Sequence, residues 1–430
     1  MINYALDYYY RKIQPIQPTY IVQGGVKLKT VAIAGTFDSK GIEFAYLQEI
    51  LQSLGLKTFM IHTGVFESKL AVDVSNEDIA SIVNADMKEI AAKKDRALAT
   101  EVLSKGLEKL LPKLYAEGKF DGIISCGGTG GTSLVAPGMR ALPIGVPKVM
   151  VSTVAAGDVS MYVGTSDIFM YPSIVDVAGL NSISTKIFTN AALAIAGMLK
   201  FEVNKVLEKK PLIAASMFGV TTPCVNQARE YLEQQGYEVL IFHATGTGGK
   251  AMESLIRDGY IEGVFDITTT EWCDQLMGGN MAAGEQRLEA AALNQIPQVV
   301  SVGALDMVNF GPIDTVPAKY NGRNFYKHNP TVTLMRTTVE ENQQLGMAIA
   351  EKLNLCTAKA ALLLPLKGVS MIDAPGQPFY GPDEDAMLFK TLKEKITNPL
   401  IEVIEVDANI NDPEFSTAAA QKLVELLAKK

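Results

Sequence analysis

Slid along itself by 181 positions, the chain aligns two of its segments with two later ones in a single ungapped register. VAIAGTF (31–37) falls on LIAASMF (212–218), and GLKTFMIH (55–62) falls on GYEVLIFH (236–243). Phe37 meets Phe218, Gly55 meets Gly236 and His62 meets His243. Further along, FDGIIS resembles IEGVFD (261–266), and VPKVMVST resembles IPQVVSVG (296–303). One short strand can match by chance. A strand, a helix and a second strand in one register indicate internal duplication. Each copy reads as an apolar run, a stretch with apolar residues at helical spacing (GIEFAYLQEILQSLG in the first), and another apolar run. That order, with short turns, is a βαβ unit on a parallel sheet. The expected fold class is therefore α/β: two tandem Rossmann-like, doubly wound parallel-sheet domains.

The length of 430 residues suits two domains. Segment 174–200 reads as a helix running into a charged joint, FEVNKVLEKKP, which puts the boundary near 205–211. The first domain then spans 30–208 and the second 209–430. After Gly303 the pattern predicts a long helix (TVTLMRTTVEENQQLGMAIAEKLN), a strand (KAALLLPL), a helix, a strand (LIEVIEV) and a last helix. Residues 1–29 read differently. Their tyrosines and prolines suggest an extended arm on the body or on a partner subunit, or else a start placed too far upstream. They lack the apolar stretch and small-residue cleavage site of a secretory signal.

Net charge of −8 argues against nucleic acid or a membrane surface as partner, leaving room only for a local basic pocket. No uninterrupted apolar run has membrane-spanning length. Cys126, Cys224, Cys273 and Cys356 lie far apart in apolar segments, which reads as free thiols in a reducing, cytoplasmic setting.

Ligands of open parallel sheets gather at the carboxyl ends of the strands. There the chain places GTFDSKG, HTG and CGGTGGTS, and in its second half FGVTTPC, HATGTGGK and DITTTEW. Gly127, Gly128, Gly130 and Gly131 leave main-chain amides unshielded, and Thr132 or Ser133 can cap a following helix. Converging amides at a helix start bind anions. Pro137 suggests that this helix is short or irregular. The other reading of the cluster is a tight turn packed on the next strand. The spacing is neither that of the phosphate loop with Lys-Ser/Thr nor the dinucleotide fingerprint, which counts against an oxidoreductase. Lys40 could neutralise phosphate, and Asp38 could accept a ribose hydroxyl or hold magnesium through water. As a pair they are otherwise a solvated turn, and Arg96 ordinary surface. His62 and His243 stand at equivalent strand ends, as general acid–base groups or as structural hydrogen-bonding residues. Asp266, Glu271 and Asp306 follow strand ends in the second half and complete the catalytic candidates. Gly246, Gly248, Gly249 and Lys250 form a second candidate anion turn, His328 reads as part of a helix-starting turn, and no metal site is assigned.

At GTFDSKG, GGTGGTSL, LPIGVPKVMVSTVAAG, YVGTSDI, MFGVTTPCV, FHATGTGGKAME, DITTTE, SVGALDMVNFGP, LMRTT and KGVSMIDAPG the chain resembles the family of the tomato-mosaic-virus resistance protein, in its N-terminal ATP-binding region. The likeness runs from about 31 to 412. It implies two Rossmann-like subdomains, ATP in the first, and a homodimer. It also implies nucleotide contacts at Asp38, Lys40, Thr63, Arg96 and the loop from Gly127 to Gly130. Thr129 stands where the plant loop has serine, which keeps a hydroxyl. The plant protein continues into a barrel-like domain, whose role is expected either to be absent here or to be supplied by a separate barrel-domain protein. The antiviral activity is not implied. The resulting expectation is an ATP-binding protein, with magnesium as a compatible ion. If it is an enzyme, it would act on a small carboxylate or phosphorylated metabolite in the inter-domain crevice, by phosphoryl or nucleotidyl transfer or another ATP-assisted step. The alternative is a nucleotide-regulated scaffold without turnover.

Overall fold

The computed structural model describes residues 28–93, 95–201 and 209–428. Most of the expected arm (1–27) and most of the joint (202–208) lie outside the described residues. The chain divides into two compact units, Met1–Leu207 and Glu208–Lys430.

The first unit carries one five-stranded parallel sheet in the order β2-β1-β3-β4-β5. The strands are β1 (Thr30–Gly35), β2 (Lys57–His62), β3 (Gly122–Gly127), β4 (Lys148–Ser152) and β5 (Phe169–Pro172). All but one of the residues of β1 and every residue of β3 and β4 are buried. That matches apolar runs without alternation, because helices cover both faces. Phe44, Leu47 and Leu51 of α1 (Gly41–Ser53) pack on one face. On the other lie α2 (Asn76–Ser81), α3 (Met87–Lys93), α4 (Arg96–Ala116) and α5 (Thr129–Arg140), joined through Leu103, Leu107, Leu134 and Met139. A short turn of helix, α6, follows at Ser160–Val163.

This strand order puts the reversal of direction between β1 and β3, where the loops leaving the two strands diverge and open a crevice. The helix expected over 174–200 begins only at Ser182, as α7 (Ser182–Lys200). Asn181 sets that start: its side chain accepts the Ile183 and Ser184 N–H groups, and the Ser184 hydroxyl accepts the Asn181 N–H. Among the described residues α7 alone is long and apolar enough to pass as a membrane span. It buries Phe188, Ala192, Ile195 and Leu199 in the core of this unit, as a core helix does.

The second unit has a six-stranded parallel sheet, β14-β13-β9-β8-β6-β7, the first order extended by one strand. Its strands are β6 (Leu212–Met217), β7 (Glu238–His243), β8 (Gly263–Thr268), β9 (Gln298–Gly303), β13 (Ala360–Pro365) and β14 (Ile401–Val406). The helices are α8 (Thr222–Gln234), α9 (Thr247–Arg257), α10 (Glu271–Met277), α11 (Glu289–Leu293), α12 (Val339–Leu353), α13 (Pro382–Lys395) and α14 (Pro413–Ala428).

The segment expected as one helix from Thr331 is divided. Its first part is β12 (Val332–Arg336), the middle strand of a small antiparallel sheet with β10 (Met307–Phe310) and β11 (Phe325–Asn329). Thr338 then caps α12, accepting the Glu341 N–H while the Glu341 carboxylate accepts the Thr338 N–H. Alternation in VTLMR suits a strand as well as a helix, and pairing with β10 decides it. His328, expected in a helix-starting turn, lies in β11.

Candidate functional site

In the first unit the segments after β1, β2 and β3 meet around a cavity of ≈ 800 Å³. Its wall contains Asp38, Lys40, Thr63, Arg96, Gly128, Thr129, Gly130 and Gly131, eight of the nine residues expected to hold a nucleotide. The ninth, Gly127, closes β3 behind the wall. A Cβ there would stand 3.2 Å from the Gly131 Cα, so its bareness lets the strand and the helix approach.

Gly128 is the N-cap of α5 and is extended, with no side-chain cap. The N–H groups of Thr129, Gly130 and Gly131 therefore have no partner inside the helix and end a positive dipole. Thr132 and Ser133, expected as caps, turn back instead. Thr132 Oγ1 donates to the Gly128 carbonyl and Ser133 Oγ to the Thr129 carbonyl, both at 2.9 Å. Pro137 does not shorten the helix. It lies within the 12 residues of α5, and lacking an N–H it leaves only the Ser133 carbonyl without its helical donor.

The charged residues are set by neighbouring caps. Asp95 caps α4 by accepting the Leu98 N–H at 3.0 Å, which fixes Arg96 as the first helical residue. A Cβ on Gly130 would lie 3.0 Å from Arg96 Nη2, so the guanidinium rests against the glycine turn. Lys40 precedes α1 and its ammonium donates to the Val177 carbonyl while bordering the cavity. Thr63 is fully buried, and its Oγ1 has no partner among the described residues. Asp38 accepts the Ser39 N–H at 2.7 Å and the Phe66 N–H at 3.1 Å. Sequence reasoning missed Phe66, Ile90, Asp95 and Asp176 in the wall. Only Asp95 carried a signal, the helix-starting pattern DRAL.

The wall of this cavity holds none of the catalytic candidates. His62 is buried, its Nδ1 accepting the Phe37 N–H at 3.2 Å and its Nε2 lying 2.7 Å from the Phe66 carbonyl. Both ring nitrogens are engaged with backbone groups of the chain itself. His243 is exposed and edge-on to Phe218, with ring centroids 5.3 Å apart.

The second anion turn exists, and a side chain of the chain itself fills it. Gly246 and Gly249 donate their N–H groups to Glu271 Oε1 at 2.7 and 3.0 Å. A Cβ on Gly249 would stand 2.2 Å from Glu271 Oε2. Gly248 faces the His243 carbonyl, and Lys250 is exposed on the first turn of α9. Glu271 Oε2 accepts Arg287 Nε at 2.6 Å. Both terminal nitrogens of Arg287 grip Asp266, which also accepts the Ser216 hydroxyl, and Glu253 completes the group. Arg287 is 1% exposed. Burial raises the Glu253 carboxyl above the usual range despite the guanidinium beside it. Counted from the first residue of β3 and of β8, Glu271 stands where the first unit has Gly130. Asp266 and Glu271 thus form a buried ion cluster rather than a ligand-facing pair.

Asp306 belongs to a different buried group. It accepts the Ser370 hydroxyl at 2.8 Å and neighbours Arg336, which lies 3.5 Å from Asp373 and 3.3 Å from Asp385. Burial, then repulsion from Asp373, raises the carboxyls of both Asp306 and Asp385, against the pull of Arg336; Glu384 adds negative charge near that arginine. The folded protein therefore keeps protons that the unfolded chain releases above its ordinary value of 3.8. Stability from this group is complete below that value and falls as pH rises through neutrality. Asp385→Asn, which keeps the shape and removes one titration, is expected to flatten that fall by up to about 1.4 kcal/mol per pH unit. Urea unfolding at several pH values between 5 and 9 measures it. Parallel curves for the two proteins would refute the assignment.

Residues 29–204 match the N-terminal domain, and residues 210–427 the C-terminal domain, of an uncharacterised protein family, UPF0261. A UPF0261 protein of Clostridium tetani is 53% identical over 402 residues, covering 93% of this chain and 100% of that protein. One from Rhizobium meliloti is 44% identical over 393 residues, 91% of this chain and 98% of its own. The ToMV resistance protein Tm-1(GCR237) of Solanum lycopersicum is 42% identical over 417 residues, 92% of this chain and 55% of its own length. The chain thus spans about half of the tomato protein.

Proposed function

The chain belongs to the UPF0261 family, and from that premise we propose that its first unit binds ATP, with the phosphates on the uncapped start of α5. The observation that supports this most is the convergence of unshielded amides, Arg96, Lys40 and the unpartnered Thr63 hydroxyl on one cavity. Its ≈ 800 Å³ lies within the usual range of small-molecule sites. ATP as the particular nucleotide comes from the family resemblance.

Among the described residues the cavity wall bears three carboxylates, Asp38, Asp95 and Asp176, against two cations, Lys40 and Arg96. A bare polyphosphate would meet net repulsion from that set, so the nucleotide is proposed to enter with magnesium. Among the described residues no group of carboxylates, histidines or cysteines is arranged to hold a metal unaided. An ion that keeps its waters and shares the phosphates fits this arrangement.

Binding without turnover is favoured over catalysis. His62, Asp266 and Glu271 spend their polar atoms on internal partners, and Asp306 lies within a buried ion group. The homodimer, a barrel-domain partner and the cytoplasmic setting remain part of the proposal, the last supported by four buried free cysteines. The test is calorimetric titration of magnesium ATP into the full chain and into Gly130→Asp, with ADP release followed in parallel. Saturable binding to the first and not the second supports the reading. A wild type that binds no ATP overturns it, and steady ADP release overturns the preference for binding alone.

A further inference from the structure

Three hollows adjoin on the face that carries the cavity. The ≈ 800 Å³ cavity shares Arg96, Thr100 and Gly130 with a shallow hollow of ≈ 610 Å³. It shares Val65, Phe66 and Ala91 with another of ≈ 700 Å³. The shared residues mark two unlike ends, one of guanidinium and bare amides, the other apolar.

Phe66 stands out at the apolar end. The residue is 66% exposed, although large apolar side chains are ordinarily withdrawn from water. It enters none of the ring–ring contacts among the described residues. Its backbone, by contrast, is held at both polar atoms. Asp38 accepts the N–H at 3.1 Å, and His62 Nε2 meets the carbonyl at 2.7 Å. His62 is in turn fixed by the Phe37 N–H, and Asp38 lies so close to Gly64 that a Cβ there would stand 2.2 Å from its Oδ1. A loop pinned this firmly while its aromatic ring stays uncovered is preorganised to receive a flat partner.

We infer that Phe66 is the platform on which the base of the bound nucleotide stacks, with His62 and Asp38 as its positioning residues. The inference rests on the phosphate seat proposed above and assigns the opposite end of the same cavity. Stacking on an aromatic face tolerates any base, because every base has a π-face, and strengthens with ring area. The site should therefore accept purine nucleotides without a strong choice between adenine and guanine.

The test compares ATP with inorganic tripolyphosphate, which has the charge but no base, both in the presence of magnesium. Calorimetric titrations use the wild type, Phe66→Ala and Phe66→Trp. The expected result is an ATP affinity roughly 10- to 100-fold weaker in Phe66→Ala. Phe66→Trp should stay near the wild type, and tripolyphosphate affinity should be equal in all three proteins. ATP affinity in Phe66→Ala within twofold of the wild type would overturn the platform while leaving the phosphate seat standing. Equal losses for ATP and tripolyphosphate would also overturn it, showing a disturbed loop rather than a lost stack. A wild type that binds neither ligand would remove the phosphate seat, and the platform with it.

Discussion

Replacing Arg287 with leucine is expected to bring the second unit to the edge of unfolding. The side chain is 1% exposed and faces three carboxylates, Asp266, Glu271 and Glu253. Leucine fills much of the space yet leaves those three acids without a cation. Removing one partner of a buried ion pair costs about 3–5 kcal/mol, since the remaining charge stays in a poor solvent. Domains are held by only about 5–15 kcal/mol in all, so this single change consumes a large share. Glu271 also closes the start of α9 through Gly246 and Gly249, so its displacement would loosen that helix as well. Arg287→Lys keeps the charge without the planar fork and should fall between the two. The readout is built in. Trp272, the only tryptophan, is buried beside Glu271, so its fluorescence in urea follows the second unit. Acid should narrow the difference between variant and wild type, because protonated carboxyls no longer need a cation. An unfolding midpoint for Arg287→Leu equal to that of the wild type would show the cluster to be energetically neutral.

Gly130→Asp should have the opposite character, leaving the fold intact and abolishing nucleotide binding. Position 130 is the second residue of α5, where a carboxylate is favourable to the helix. A new Cβ meets only the far end of Arg96 at 3.0 Å, which can move. The new carboxylate then occupies the ground where phosphate would sit and takes up Arg96 as its own partner. At about 4 Å and the effective dielectric of a protein surface, one such repulsion is worth about 4 kcal/mol. That corresponds to ATP binding weakened by roughly 100- to 1,000-fold. Circular dichroism and the thermal midpoint should match the wild type or exceed it slightly. ATP affinity within a few-fold of the wild type would place the phosphates elsewhere. The second unit already shows a related arrangement, a glycine-rich turn satisfied by a carboxylate from the chain itself.

Much of the architecture was legible because burial on both faces leaves a plain mark. The fully buried β3 and β8 and the mostly buried β1 are largely apolar runs, and their recurrence exposed the duplication. β5 was not legible. FMYP is four residues at a sheet edge, partly exposed and ended by proline, so neither alternation nor a long apolar run announces it. The small antiparallel sheet was hidden because VTLMR runs straight into a helical pattern, and only its pairing with Met307–Phe310 separates the two. Arg287 left no trace either. It lies 16, 21 and 34 positions from the carboxylates it joins, in a stretch that reads as ordinary surface.

The residue pattern by itself determined two parallel sheets, their helices, and the glycine-rich turns at the ends of their strands. Those follow from local backbone preference and from which side chains avoid water. What only the tertiary structure decided is which turn stays open. GGTGG and TGTGGK look equally fit for an anion, but Glu271 reaches from the end of one strand to fill the turn after another, where the first unit has only Gly130. A turn's vacancy depends on side chains brought in from elsewhere in the chain, and no reading of the turn's own residues contains them.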